Sequence, residues 1–174
     1  MIKIVLTGGP CVGKTTLIRE LRNLGYKTIE ESAREIIKQE LENNSNCLPW
    51  KKPLEFQEKV IRKQREIESV TKGTVFLDRS LIDSVSYLIC NKCEIPAYIY
   101  NLIENAGYKK AFYLSPLVSY LADGERQENS EQARQIHEVN FKTYQEFQET
   151  LGIDLIEVPL MPVEERLKFI LSKL

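Results

Sequence analysis

The sequence predicts an α/β chain, a parallel sheet with helices wound on both faces. Three observations carry that prediction. Short apolar runs rich in β-branched residues alternate along the chain with stretches whose apolar residues recur at helical spacing. The first such run, Ile2-Lys3-Ile4-Val5-Leu6, leads into Gly8-Gly9-Pro10-Cys11-Val12-Gly13-Lys14-Thr15, which spells G-x-x-x-x-G-K-[ST]. The loop then runs directly into Thr16-Leu17-Ile18-Arg19-Glu20-Leu21-Arg22, a helical pattern. Strand, glycine loop, helix is the context in which this motif becomes a phosphate site, the P-loop.

The elements follow in order. Tyr26 to Glu30 reads as a second strand, entered through Gly25. A helix begins at Glu31 and fades at Asn43-Asn44-Ser45-Asn46, and Pro49-Trp50-Lys51-Lys52-Pro53 is a break. Leu54 to Thr71 is helical, with Phe56, Val60, Ile67 and Val70 as its apolar stripe. Lys72-Gly73 ends it, and Thr74 to Asp78 forms a third strand. Helices follow from Leu81 to about Cys90 and from Pro96 to Ala106, the second closed by Gly107. Ala111 to Leu114 is the fourth strand. After the charged stretch Asp123 to Asn129, Ser130 is placed to cap a long helix carrying Ile136, Phe141, Tyr144, Phe147 and Leu151. Asp154 to Val158 is the fifth strand, and Pro162 or Val163 opens a terminal helix burying Leu167, Ile170 and Leu171. One domain over 1–174 is expected, with a lid-like segment at about 117–135.

Composition narrows the function classes. Hydrophobic content of 43% and charged content of 28% are ordinary for a globular domain, and the net charge is −1. That balance gives no bulk reason to expect nucleic acid or an anionic membrane as partner. No apolar run reaches the length of a membrane span, no secretory leader is expected, and a cytoplasmic protein with reduced thiols is the reading. Cys90-Asn91-Lys92-Cys93 lacks the second ligand pair that a structural zinc site requires. The single histidine, His137, is expected at a helix surface or boundary.

The residues suited to chemistry fall at the carboxyl ends of the strands, where open α/β sheets bind nucleotides. Gly8 and Gly13 let the backbone reach positive φ, so that loop amides point inward at an anion. The expected nucleotide-binding set is Gly8, Gly9, Pro10, Cys11, Val12, Gly13, Lys14, Thr15 and Thr16. Lys14 would bridge the β- and γ-phosphates of ATP, and Thr15 with Asp78 would hold Mg²⁺. Asp78, at the end of an apolar strand, is placed as a Walker B acid or a base for an acceptor hydroxyl, with Arg79 beside it. Glu31 could bind or deprotonate that hydroxyl, or could simply favour a helix N-terminus. Arg126, in Asp123-Gly124-Glu125-Arg126, would neutralise charge on the transferred group, with Arg134 a lesser candidate. Pro159 to Pro162 could wall the base. Asn91-Lys92-Cys93-Glu94 imitates the guanine-reading N-K-x-D box, but its acid is one methylene too long and it ends a helix instead of following a strand.

With these residues in place, the chain resembles the ribosylnicotinamide-kinase-like P-loop ATPases, which include the NadR kinase domain and small AAA-like ATP-binding proteins. The resemblance rests on Gly8 to Thr15, Glu31-x-x-Arg34-Glu35, Phe76-Leu77-Asp78-Arg79-Ser80, Tyr113-Leu114, Asp123-Gly124-x-Arg126 and Glu157-Val158-Pro159. It implies a three-layer α/β/α P-loop NTPase fold of nucleoside- or nucleotide-kinase type with a five-stranded parallel sheet. It implies ATP and Mg²⁺, and phosphoryl transfer to a small-molecule hydroxyl, such as that of nicotinamide riboside. The alternative it leaves open is a nucleotide-dependent binding module with slow hydrolysis and no acceptor.

Overall fold

A computed structural model describes residues 2–117 and 130–174. The order is β1 (Ile2–Thr7), α1 (Lys14–Asn23), β2 (Lys27–Ile29), α2 (Ser32–Glu42), α3 (Pro53–Val70), β3 (Thr74–Asp78), α4 (Leu81–Cys90), α5 (Ala97–Glu104), β4 (Tyr108–Leu114), α6 (Ser130–Leu151), β5 (Asp154–Val158) and α7 (Val163–Ser172). The strands form one five-stranded sheet in the order β2-β3-β1-β4-β5, and every pairing is parallel.

Alternation along the strands explains the layers. Ile4, Leu6, Phe76, Phe112 and Leu114 face one side and pack with Leu17, Ile18 and Leu21 of α1 and Ile170 of α7. Val5, Val75, Leu77 and Ala111 face the other, against Ile61 of α3, Leu88 of α4, Ile103 of α5 and Tyr144 of α6. Strands buried on both faces read as near-continuous apolar runs, which is why β1, β3 and β4 were visible in the sequence.

The differences from the expectations have local causes. β2, an edge strand, pairs with β3 over three residues only, Lys27 to Ile29. β4 starts three residues early. Gly107 turns the chain at φ 75, and Tyr108 is already buried, although Lys109 and Lys110 disguise the strand as polar. Val70 is 77% exposed, since α3 ends there as the chain leaves the core. Residues 130–135 of the lid-like stretch belong to α6, and 118–129 lie outside the described residues.

Candidate active site

The P-loop is curled and internally braced. Gly8 sits at φ 127 and Gly13 at φ 90. A Cβ on Gly8 would come within 3.0 Å of the Leu114 carbonyl, so this position needs glycine for space as well as for backbone angle. The buried Lys14 ammonium donates to the Gly8 and Gly9 carbonyls at 3.0 and 2.7 Å. Gly13 is the N-cap of α1 and supplies no side-chain cap, so the first turn's amides face the loop's hollow.

His137 lies half-buried at the helix boundary where the sequence places it, but its contact with the P-loop is one the sequence reading missed. The Gly9 N–H donates to its Nδ1 at 3.0 Å, and Tyr113 donates its hydroxyl to the His137 carbonyl at 2.6 Å. Burial, with Lys14 nearby, pulls its pKa down to about 4, so the ring is neutral and its Nδ1 can accept. A Cβ on Gly9 would meet the His137 Cβ at 2.7 Å. The only sequence signal was the second glycine of Gly8-Gly9, which the motif does not require.

Asp78, Arg79 and Glu31 converge beside the loop. Thr15 donates its hydroxyl to Asp78 Oδ2 at 3.0 Å, while the buried Asp78 Oδ1 has no hydrogen-bond partner among the described residues. Burial first, and then the Glu31 carboxylate, raise the Asp78 pKa to about 6. Asp78 caps nothing. Ser80 is the N-cap of α4 and Asp83 completes the capping box. An orphaned carboxylate oxygen beside a hydroxyl fits Mg²⁺, which takes few protein ligands and completes its shell with phosphate and water. No cluster of three or more His, Cys, Asp or Glu suited to a metal occurs among the described residues.

Arg79 is more deeply engaged than its sequence position suggests. Its backbone is left-handed, φ 73, and its N–H donates to the Leu6 carbonyl at 3.0 Å. Its Nε donates to Glu31 at 2.8 Å, its Nη1 to Asp83 at 3.3 Å, and its guanidinium lies 5.2 Å from the Tyr87 ring centre. Buried Nη2 has no partner among the described residues. Glu31 is the N-cap residue of α2 but makes no side-chain cap; it accepts from Arg79 and, at 3.3 Å, from Arg34. Asp83 anchors the group from beneath, accepting from Thr7 at 2.8 Å, Tyr144 at 2.7 Å and Asn140 at 3.2 Å.

Glu31, Arg34, Asp78, Arg79 and Asp83 line a cavity of about 1070 Å³ that also includes Trp50, Phe56 and Gln57. Asn91, from the guanine-box imitation, lines this cavity at the C-cap of α4, not a strand end. Arg126 lies outside the described residues. Arg134 is exposed on α6 and pairs loosely with Glu138 at 3.9 Å. Pro162 is the N-cap residue of α7, and all four cysteines are free thiols.

Solved structures share this fold. A deoxyadenosine kinase from M. mycoides, with products dCMP and a flexible dCDP bound, matches at TM-score 0.70 and 16% identity, over 99% of this chain and 97% of that one. NadR in complex with NR matches at 0.63 and 20% identity, over 98% of this chain and 51% of that one, so this chain spans about half of NadR. Shikimate kinase from Acinetobacter baumannii in complex with shikimate matches at 0.62 and 17% identity, over 99% of this chain and 92% of that one. No curated protein matches significantly. A family model described as an AAA domain matches residues 3–166, nearly the whole chain, and the protein belongs to that AAA-domain family.

Proposed function

We propose that the protein is an ATP-dependent kinase that phosphorylates a hydroxyl of a nucleoside-like small molecule, nicotinamide riboside being the first to test. The observation that carries this reading is one juxtaposition. The Thr15–Asp78 hydrogen bond joins the P-loop to a large cavity whose lining includes Glu31, Asp78 and Arg79. A hydrolase needs room only for water, whereas this cavity has the volume of a small-molecule site. The bound molecules of the deoxyadenosine kinase and NadR structures point the same way.

Phosphoryl transfer asks mainly for positioning and charge neutralisation. The loop amides and Lys14 hold the phosphates. Thr15 and Asp78 would hold Mg²⁺, which neutralises phosphate charge when bound. Glu31 or Asp78 takes the proton of the acceptor hydroxyl, whose oxygen bonds to the γ-phosphorus as the bond to ADP breaks. Arg79 holds Glu31 in place, and Arg126 is assigned to the transferred group.

The test is ATP consumption with Mg²⁺ against a nucleoside panel, read by product mass. A product heavier by one phosphoryl group, absent with Lys14→Ala, is the expected result. ATP binding with no phosphorylated acceptor anywhere in the panel would favour the nucleotide-gated binding module. Arg126→Ala should lower kcat more than it weakens ATP binding; a pure binding defect would remove it from the transition state.

A further inference from the structure

Arg166 is a buried cation that the proposed chemistry leaves unused. It lies in the first turn of α7 with 2% of its surface exposed. Its Nη1 donates to the Val12 carbonyl at 2.8 Å and its Nη2 to the Ser115 carbonyl at 3.2 Å. Its Nε is buried with no partner, and it makes no ion pair with a carboxylate, among the described residues. One guanidinium thus ties α7 to the crown of the P-loop and to the exit of β4.

The peptide between Val12 and Gly13 gives that tie a consequence. A trans peptide is planar, with its C=O and N–H pointing in opposite directions. A hand that holds the Val12 carbonyl therefore aims the Gly13 N–H away from Arg166. This peptide would otherwise turn easily, because Gly13 at φ 90 has no Cβ to resist rotation. An inverted peptide would present a carbonyl oxygen to the phosphates in place of a donor, replacing attraction with repulsion.

We propose that Arg166 is a positioning residue that locks the Val12–Gly13 peptide so that the Gly13 amide binds nucleotide phosphate. This rests on the reading that the P-loop holds a nucleotide. Lysine is no substitute, because a single ammonium cannot reproduce a planar fork spanning two carbonyls.

The experiment is calorimetric titration of MgADP into wild type, Arg166→Gln and Arg166→Lys, with the amide spectra of ¹⁵N-glycine-labelled protein followed in parallel. The chain holds 8 glycines, few enough to assign. In wild type the Gly13 amide should shift strongly on binding. Both variants should bind about tenfold or more weakly, with that shift reduced while the variants remain folded by circular dichroism. A lower melting temperature with unchanged affinity and an unchanged Gly13 shift would overturn the proposal and leave Arg166 a packing residue. If Arg166→Gln does not fold, the lysine variant decides between the same two outcomes. Failure of wild type to bind MgADP would overturn the nucleotide reading and this proposal with it.

Discussion

At the scale of single residues, Asp78 is held in a costly state. Its carboxyl pKa is raised to about 6 from 3.8, chiefly by burial, so without metal the folded protein holds it protonated below about pH 6 and ionised, at a cost, above it. Stability from this group is present at low pH and is lost as pH rises from about 4 through about 6. Asp78→Asn removes the cost. The variant should gain about 1–2 kcal/mol over wild type at about pH 8 and little at about pH 4, read by urea unfolding. It should also lose Mg·ATP turnover. A variant less stable than wild type at both pH values would show that the Thr15 hydrogen bond outweighs the burial cost. If Asp78 holds Mg²⁺ as proposed, the same titration should make wild-type Mg·nucleotide affinity fall as pH drops through about 6.

At the scale of elements, α6 meets the P-loop through His137, whose Nδ1 accepts from the Gly9 N–H. Gly9→Ala would set a methyl 2.7 Å from the His137 Cβ, which is rooted in the helix and cannot swing aside. A loss of about 1–3 kcal/mol is expected, with weaker nucleotide binding. Unchanged urea unfolding would mean that α6 is free to shift. This contact also shows where sequence reading ran out. The P-loop, Asp78 and the strands were legible because each obeys a local rule, a fixed spacing or a run of apolar residues. His137, Asp83 and Arg166 act across 128, 76 and 154 residues of sequence respectively, and no local pattern records such partners. Glu31 was legible as a residue but not as a role. Its pairing with Arg79 depends on a left-handed backbone at φ 73 that an arginine does not advertise.

At the scale of the molecule, the strand order puts β1 in the middle of the sheet, between β3 and β4. On the ribosome, β1 emerges well before either neighbour, with Ile4 and Leu6 on one face and Val5 between Lys3 and Thr7 on the other. The loop that follows it also rests on a late arrival, since the Gly8 position lies against the Leu114 carbonyl at the end of β4. Nucleotide held by this loop would therefore stabilise the nascent chain only after Leu114 has emerged. Chains arrested before β4 should show no ATP-dependent protection from protease, and chains that expose the complete sheet should gain it. Until then the Ile4 and Leu6 face of β1 waits without partners, open to aggregation and out of reach of protection by a ligand.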